Sequence, residues 1–476
     1  MAQTEKVDLV VIGSGPAGEK GGAQAAYFGK NVALVERDPA VGGACVHTGT
    51  LPSKTLREAA LYVTGFQRRQ LYGMNLEVDR EASVRQLMGR LKTVTDQQVE
   101  QIARNIDRHK ISLTLRGAAE FASSNEVVVR DTEGAEIRRL AADYFLIATG
   151  SSPLRPTGVP FTDPDVEDSD TILDLDRIPT SLAVVGGGVI GCEYACIFAA
   201  LGTKITIIEG RGALMGFLDG EMSKALQAYL ERFGHDVLLG DAVQTVERVP
   251  GGPLRMKLKS GKVLDVDKVL YSAGRAGNTT GLGLEKAGVN MDPKGRILVN
   301  QHFQTSTPHI YAVGDVIGNP ALASVSMEQG RVAMCHAWHI PYKTQVSPIT
   351  PFGIYTIPEI SMVGATEDEL TKAGTVFEIG VARFENNARG QIIGDQDGLI
   401  KLIFEASSKK LLGVHIIGDR ATELVHIGQM VVEFGGTIDV FINSVFNFPT
   451  LSEVYKYAAY DGLQRLAKRG LNGAVR

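Results

Sequence analysis

Residues 41–54, VGGACVHTGTLPSK, place a glycine pair, a thiol, a threonine and a lysine in one short stretch. The thiol is Cys45, and the next side chain that could have been its redox partner is Thr50. Thiol–disulfide exchange needs an attacking and a resolving thiol, and threonine cannot store electrons or act as the leaving group. We therefore expect Cys45 to be a packed side chain or a contact to a bound group, since free cysteine behaves mainly as a small apolar residue.

Two glycine-rich segments have the spacing that binds the pyrophosphate of a dinucleotide. They are GSGPAG at residues 13–18 and GGGVIG at residues 186–191. In this pattern the first glycine makes a tight turn, the second lets the backbone approach the phosphates, and the third lets the following helix pack on the sheet. The helix N-terminus then presents free N–H groups to the phosphates.

An acidic residue follows each glycine segment at the same distance, Glu36 after the first and Glu209 after the second. At the end of a strand such an acid can bind a ribose hydroxyl. The repeated spacing predicts two dinucleotide sites. The residues that it assigns to them are Gly13, Ser14, Gly15, Pro16, Ala17, Gly18 and Glu36 in the first site, and Gly186, Gly188, Val189, Ile190, Gly191 and Glu209 in the second.

Secondary-structure patterns around these segments predict an α/β fold with two Rossmann-like units. Short apolar runs at 8–12 and 31–36 flank the first segment, and runs at 182–185 and 204–209 flank the second, as in βαβ units. Residues 80–109 repeat apolar side chains at helical period, which predicts a long amphipathic helix. After about residue 350, alternating stretches followed by helical ones predict an antiparallel sheet with helices on one face.

Composition excludes several classes of protein. The 476 residues carry a net charge of −5, so no basic field favours nucleic acid or anionic lipid, and no apolar run is long enough to span a membrane. Four scattered cysteines predict neither a disulfide framework nor a zinc site, and the nine histidines show no metal-ligand spacing. We expect a cytoplasmic protein without a metal.

Two further segments end predicted strands in small turns, LIATG at 146–150 and YAVGD at 311–315. Together with the glycine segments and the GGxC stretch, they resemble the pyridine nucleotide-disulfide oxidoreductase family of flavoproteins from Val7 through Leu463. The resemblance implies FAD in the first site, NAD(P)(H) in the second, and a C-terminal dimerisation domain that makes the chain a homodimer or a higher homo-oligomer.

The resemblance also implies domain limits and further cofactor contacts. The FAD-binding domain would comprise residues 1–155 and 278–347, the NAD(P)-binding domain 156–277, and the interface domain 348–476. Asp315 would hold the ribityl chain, and Ala119 would lie near the adenine. The other contacts that it implies are Arg37, Gly43, Cys45, Lys54, Thr149, Gly150, Gly274, Leu322, Ala323 and Ser324.

The chain departs from the disulfide-reducing members at two independent places. They carry a second cysteine at the position of Thr50, on the same helix as the first, and a histidine acid–base at the position of Phe448. Glu453 would orient that histidine, but Thr450 and Glu453 also fit a helix capping box, which we prefer. CVHTGTLPSK, TIPEIS and FNFPT instead resemble the Si-specific pyridine nucleotide transhydrogenase branch, which implies ping-pong hydride transfer between NADPH/NADP⁺ and NADH/NAD⁺.

Catalytic roles follow from this resemblance for two residues. Lys54 and Glu193 would form an ion pair beside flavin N5, with Lys54 stabilising the reduced flavin and Glu193 holding Lys54 and seating the nicotinamide. Glu209 favours NAD(H), because a carboxylate repels a 2′-phosphate, and Arg211 could offset that repulsion. We therefore expect NAD(H) to bind more tightly, with NADP(H) still used.

Other functions remain compatible with the sequence. An NAD(P)H:quinone or dye reductase of the same fold is one, because quinone sites are apolar clefts without a short motif. A flavin-holding interaction protein without turnover is another, although no charge block or disordered tail favours it. A disulfide reductase remains only if Cys45 pairs with a distant thiol.

Overall fold

A computed structural model describes residues 3–65, 71, 73, 80–318 and 320–470 of the chain. Its strands are β1 (Thr4–Ile12), β2 (Val32–Val35), β3 (Ser112–Thr114), β4 (Ala118–Ser123), β5 (Glu126–Arg130), β6 (Glu136–Ile147), β7 (Ser151–Pro153), β8 (Val166–Asp168), β9 (Ser181–Val185), β10 (Lys204–Glu209), β11 (Asp236–Leu239), β12 (Val243–Arg248), β13 (Leu254–Leu258), β14 (Val263–Val266), β15 (Lys268–Tyr271), β16 (Arg275–Gly277), β17 (Ile310–Ala312), β18 (Phe352–Ile354), β19 (Glu359–Gly364), β20 (Phe377–Arg383), β21 (Leu399–Glu405) and β22 (Leu411–Gly418).

Its helices are α1 (Pro16–Tyr27), α2 (Gly43–His47), α3 (Thr50–Thr64), α4 (Arg80–Arg108), α5 (Val189–Ala200), α6 (Gly220–Arg232), α7 (Ala323–Ala337), α8 (Glu367–Lys372), α9 (Ala388–Ile393), α10 (Ala421–Glu433), α11 (Asp439–Asn443) and α12 (Val454–Lys468). Among the described residues, no helix combines the length and the apolar character needed to cross a bilayer.

The first sheet is built around the apolar run that precedes the first glycine segment. Its order is β3-β2-β1-β6-β5-β4, and β17 pairs in parallel with β6. β1 lies parallel to β2 and to β6, and its Leu9, Val10 and Val11 are fully buried. A continuous buried run of this kind is typical of a strand covered on both faces, and α1 and α7 pack together beside it.

The second sheet repeats the arrangement around the second glycine segment. Its order is β11-β10-β9-β15-β8, and every pair is parallel. α5 packs against β9 and β10. Both predicted βαβ units are therefore present, and the predicted strand 204–209 coincides with β10.

The C-terminal part forms the predicted antiparallel sheet, in the order β18-β19-β22-β21-β20. Ile400, Leu402 and Phe404 of β21 share one apolar core with side chains of α10 and α12. Leu399, on the opposite face, belongs to the core that contains α5 and α6. The prediction of helices on one face is confirmed, and the other face packs on helices of the second unit, with α6 against β22.

The long helix predicted over 80–109 is also confirmed as α4. Its Leu87 is fully buried in the core shared with α3 and α5, whereas Ile106 packs near the first sheet. α4 therefore covers the two parallel-sheet units on one side, and α3 lies between it and α5.

Candidate functional site

The first glycine turn is held by the acid that ends the next strand. Glu36 accepts hydrogen bonds at Oε2 from the backbone N–H and the hydroxyl of Ser14, at 2.9 and 2.6 Å, and at Oε1 from the backbone N–H of Asp38 at 3.0 Å. The Ser14 hydroxyl oxygen in turn accepts from the Gly42 N–H at 3.0 Å. Glu36 therefore links the turn, the end of β2 and the segment that contains Cys45.

The second glycine turn repeats this geometry at equivalent positions. Glu209 Oε2 accepts from the Gly187 N–H at 2.7 Å, and Oε1 accepts from the Arg211 N–H at 2.9 Å. The Arg211 guanidinium also donates two hydrogen bonds to the carboxylate, with Nε 2.9 Å from Oε1 and NH2 3.0 Å from Oε2. These bonds, Arg211 first among them, lower the pKa of Glu209 to about 2, so the carboxylate is ionised at physiological pH.

The glycines of each segment differ in the space beside them. A Cβ at Gly18 or Gly191 would lie 1.9 or 2.0 Å from the carbonyl oxygen of the first glycine of its turn. A Cβ at Gly15 or Gly188 would meet no atom within 4 Å. The third glycine is thus required by helix packing, whereas the second faces open space at a helix N-terminus, the kind of position that binds anionic groups.

A cavity of about 650 Å³ opens on the second turn. Gly186, Gly188, Glu209, Arg211 and Gly274 line it, and Val189 and Ile190 form the first turn of α5 beside it. Its size lies in the range of small-molecule sites. Of the residues predicted for the second site, Gly186, Gly188 and Glu209 therefore line one cavity, whereas Gly191 packs inside the turn.

Several predicted residues meet around the first turn. Gly43 lies against Gly15, since a Cβ at Gly43 would be 3.0 Å from Gly15 Cα, and a Cβ at Gly13 would meet Ala148 and Thr149. Asp315 is the second residue of a short 3₁₀ turn after β17, and it accepts a hydrogen bond at Oδ2 from the Ser151 hydroxyl at 2.9 Å.

The remaining predicted contacts are distributed around this centre. Ala119 lies on β4, two residues after Gly117, whose N–H donates to the Glu36 carbonyl oxygen. The Thr149 hydroxyl donates to the Asn278 carbonyl oxygen at 2.8 Å, and the Gly150 carbonyl oxygen accepts from the Asn278 N–H. Leu322, Ala323 and Ser324 form the start of α7. Pro16 and Ala17 open α1, whereas the Arg37 side chain is 61% exposed and pairs only loosely with Asp38.

Lys54 and Glu193 meet between the two parallel-sheet units. Lys54 on α3 and Glu193 on α5 form an ion pair with Nζ 2.7 Å from Oε2. The Glu193 side chain is 5% exposed and the Lys54 side chain 24%. Glu193 interrupts an otherwise apolar helix, and a buried acid needs such a partner because burial of an unpaired charge is costly.

Cys45 and Thr50 do not share a helix, which corrects the expectation from the disulfide-reducing members. α2 ends at His47 and α3 begins at Thr50. The N–H groups of Thr48 and Gly49 both donate to the Ala44 carbonyl oxygen, at 3.0 and 2.6 Å, and these two bonds end α2. Cys45 is a free thiol, and burial raises its pKa despite a hydrogen bond with the Thr50 side chain.

None of the other three cysteines forms a disulfide with Cys45, since all four cysteines of the described residues are free thiols. Cys192 and Cys196 are buried on α5, as expected of core positions, and burial raises the pKa of Cys196 to about 12. The described residues also contain no group of three or more His, Cys, Asp or Glu side chains placed to hold a metal ion.

The segment that replaces the histidine acid–base lies at the surface of the chain. Phe448 is 74% exposed. Glu453 accepts from the Thr450 N–H at 3.4 Å, and the two residues form the predicted capping box at the short turn that leads into α12. Glu453 therefore has a structural partner within its own chain.

Sequence reasoning missed residues that reach this site from the C-terminal part. The Tyr355 N–H donates to Glu193 Oε1 at 2.9 Å. Arg57, on α3, donates from Nε to the Thr356 carbonyl oxygen at 3.1 Å and pairs with Glu359. The sequence separations are 162 and 299 residues, so no local pattern could have indicated these contacts.

The chain is similar in sequence to known protein families and to named proteins. The family model described as pyridine nucleotide-disulphide oxidoreductase matches residues 7–330, and that of the family's dimerisation domain matches residues 350–459. A soluble pyridine nucleotide transhydrogenase of Mycobacterium tuberculosis (strain ATCC 25177 / H37Ra) is 47% identical over 465 residues, which is 98% of each chain. One of Chromohalobacter salexigens is 43% identical, covering 96% of this chain and 98% of its own.

Solved structures show the same fold. The HOCl-induced flavoprotein disulfide reductase RclA from Escherichia coli, in its Cu(II) complex, matches with a TM-score of 0.86 at 24% identity, covering 96% of this chain and 99% of that one. The likeness confirms the predicted class, a mixed α/β fold with paired dinucleotide-type units and a C-terminal α+β part.

Proposed function

The chain belongs to the pyridine nucleotide-disulphide oxidoreductase family, and on that premise we propose that it is an FAD-dependent enzyme that transfers reducing equivalents between NADPH/NADP⁺ and NADH/NAD⁺. One observation carries the proposal. Both glycine turns keep an open face at a helix N-terminus, while Cys45 is a free thiol that forms no disulfide with the other three described cysteines. The names of relatives at 42–47% identity over nearly their full length support the same activity.

The first turn and its surroundings would hold FAD. Gly15 and the N-terminus of α1 would take the pyrophosphate, Glu36 the adenine ribose, and Asp315 the ribityl chain. When bound, FAD supplies the two-electron chemistry, because its ring takes a hydride from one nicotinamide and gives it to another.

The cavity on the second turn would bind both pyridine nucleotides in succession. Gly188 and the start of α5 would take the pyrophosphate, and Glu209 would accept from a ribose hydroxyl. Each nucleotide must leave before the next can bind, so the proposal implies ping-pong kinetics. Holding the reacting rings in one geometry accounts for much of the catalysis.

Lys54 and Glu193 are the proposed catalytic residues. Lys54 would place a positive charge next to the flavin ring, where it favours the reduced, anionic form. Glu193 would hold the ammonium by the ion pair that the two side chains form at 2.7 Å. Neither residue needs to carry a proton between substrates in this scheme.

We also propose the domain limits and assembly that the sequence suggests. Residues 1–155 and 278–347 would form the FAD-binding domain, 156–277 the NAD(P)-binding domain, and 348–476 the interface of a homodimer. The match of residues 350–459 to a dimerisation domain supports a homo-oligomer. Free, mostly buried cysteines support a reducing compartment such as the cytoplasm.

A steady-state assay tests the function. NADPH is mixed with a thio-analogue of NAD⁺, whose reduced form absorbs at a distinct wavelength, and the rate is compared with those for a quinone and for oxidised glutathione. We expect transhydrogenation to be the fastest of the three reactions. Faster quinone turnover would indicate a quinone reductase, and glutathione reduction would contradict the proposal.

A further inference from the structure

Tyr355 contacts both members of the Lys54–Glu193 pair. Its backbone N–H donates to Glu193 Oε1 at 2.9 Å, and its ring centroid lies 4.9 Å from Lys54 Nζ. The other carboxylate oxygen of Glu193 accepts from Lys54 at 2.7 Å. The ammonium group is therefore held between a carboxylate on one side and an aromatic face on another.

Lys54 needs contacts of this kind to keep one position. A lysine side chain is a flexible four-carbon stem that loses rotamer freedom when its end is fixed. The Lys54 side chain is 24% exposed, so solvated rotamers compete with the paired one. A cation over an aromatic ring within about 6 Å gains electrostatic attraction without a hydrogen bond of fixed direction.

The segment that carries Tyr355 is itself fixed to the helix of Lys54. Tyr355 directly follows β18, and the carbonyl oxygen of the next residue, Thr356, accepts from Arg57 Nε at 3.1 Å. Arg57 is buried, lies three residues after Lys54 on α3, and pairs with Glu359 of β19 at 3.2 Å. The backbone next to Tyr355 is thus tied to the same helix as the ammonium that the ring faces.

The charge state of the ring is compatible with this contact. Burial raises the pKa of Tyr355, which outweighs an opposing hydrogen bond with the Thr422 side chain. The phenol is therefore neutral at physiological pH. Its ring face attracts a cation by its quadrupole alone.

We propose that Tyr355 is a positioning residue that holds the Lys54 ammonium in place at the junction of the two dinucleotide units. The inference rests on the proposed function, because it assigns the held charge to the flavin site. Tyr355 touches neither nucleotide in this account. It acts through Lys54, and its effect should disappear when Lys54 carries no charge.

The flavin reduction equilibrium, measured on the purified holoenzyme against a reference dye, is the readout. Tyr355→Leu removes the ring face and keeps the backbone N–H. A cation–π contact of this kind corresponds to roughly a 2- to 30-fold change in an equilibrium constant. We expect reduction to become less favourable by at most that factor, because only the part of the contact that differs between the oxidised and reduced enzyme shifts the equilibrium. The upper limit equals a shift of about 45 mV to more negative potential for two electrons.

A double-mutant cycle separates positioning from a structural effect. In a Lys54→Met background, Tyr355→Leu should cause no further shift, because no cation remains to be held. A shift of equal size in both backgrounds would overturn the proposal. Tyr62→Leu is the matched control, since Tyr62 lies on the same helix and is 90% exposed, and we expect it to leave the equilibrium unchanged.

Ring substitutions that preserve shape cover the case in which Tyr355→Leu does not fold. Tyr355→Phe, and then replacement of Tyr355 by phenylalanine analogues with one, two and three ring fluorines, should weaken the attraction of the ring for a cation stepwise. We expect the equilibrium constant for flavin reduction to decrease with each added fluorine. The absence of any trend would contradict the role of Tyr355.

The result also distinguishes this inference from the proposed function. If the unsubstituted enzyme binds FAD and transhydrogenates but the substitutions leave its reduction equilibrium unchanged, only the role of Tyr355 fails. If the purified chain binds no FAD, or its reduced form does not respond to NAD⁺, the proposed function fails first.

Discussion

Glu36 and Glu209 each accept hydrogen bonds from their own glycine turn. Each also lies at the position where we propose that a ribose hydroxyl binds. Each accepts from the N–H one residue after the first glycine and from the N–H two residues beyond itself. Such local bonds explain why an acid recurs at the same spacing in both units. They also orient the carboxylate, which leaves acceptor capacity for a ligand hydroxyl.

Arg211 should decide how well the second site accepts a 2′-phosphate. Glu209, with its pKa of about 2, stays ionised and is neutralised by the guanidinium. Arg211→Ala would expose the phosphate to an unscreened carboxylate, a repulsion of roughly 1 to 4 kcal/mol at 4 Å. We expect KM for NADPH to rise about fivefold to several hundredfold, with a much smaller change for NADH, as measured by steady-state kinetics.

A second substitution tests the cause of that change. Glu209→Gln in the Arg211→Ala background removes the repelling charge and should restore most of the lost NADPH affinity. Binding of adenosine 2′,5′-bisphosphate and of 5′-AMP, measured by calorimetry, gives the same comparison without turnover. If Arg211→Ala weakened the binding of both fragments equally, Arg211 would not distinguish a 2′-phosphate from a 2′-hydroxyl.

Cys45 should react slowly as a nucleophile. Burial raises the pKa of its thiol above the ordinary value of 9.0, so the thiolate, which is the reactive form, increases only as the pH rises through and beyond 9. We expect its alkylation by iodoacetamide, followed by mass spectrometry, to remain slow at pH 7 and to reach half its maximal rate above pH 9. Rapid alkylation at neutral pH would indicate an activated, redox-type cysteine instead.

At the level of the elements, the second and third glycines of each turn have separable roles. Gly188 has the dihedrals φ −79° and ψ −175°, which any residue can adopt, and open space beside it. Gly191 has no room for a Cβ, which would lie 2.0 Å from the Gly186 carbonyl oxygen and 2.8 Å from Ser272 Oγ. We propose that Gly188 contacts the ligand, whereas Gly191 packs against the protein.

Two alanine substitutions should therefore give opposite results. Gly191→Ala should destabilise the second unit by about 1 to 3 kcal/mol through overpacking, seen as a lower thermal unfolding midpoint. Gly188→Ala should keep the midpoint and weaken NADH binding in a fluorescence titration. If the two variants behave alike, the assignment of ligand contact and packing to different glycines is wrong.

The sequence predicted correctly those helices and strands whose defining residues lie close together in the chain. The strand–glycine–helix–strand order fixes β1, α1 and β2, and again β9, α5 and β10, because apolar runs and turn glycines are close in sequence. The break between α2 and α3 was not predicted, since it depends on two N–H groups that share one carbonyl oxygen. The position of Tyr355 over Lys54 was not predicted either, because it depends on how the C-terminal sheet packs on α3 and α5.

At the scale of the whole molecule, the C-terminal sheet closes the junction between the two dinucleotide units. Lys401 of β21 is 2% exposed and pairs with Asp219, the N-cap residue of α6, at 2.9 Å. Arg57 and Glu359 make a second buried connection, between α3 and β19. A buried ion pair across elements is costly to break by removing one partner, so these contacts fix the part that carries Tyr355.

The same C-terminal part exposes apolar side chains that a homodimer would cover. Val445, Phe434 and Phe448 are 96%, 83% and 74% exposed in the single chain. We expect the enzyme to elute as a dimer in size-exclusion chromatography with light scattering, and Phe448→Asp to shift it towards the monomer. Tyr27→Asp, at a side chain that is 73% exposed on the first unit, should leave the dimer intact.

A single half-reaction tests the central claim most directly. The purified yellow protein is reduced anaerobically with NADPH, excess nucleotide is removed, and NAD⁺ is added while the flavin absorbance is followed. The account predicts that the oxidised spectrum returns at a rate at least equal to steady-state turnover, with one NADH formed per flavin. A reduced flavin that persists in NAD⁺ but is reoxidised by a quinone or a disulfide would contradict it.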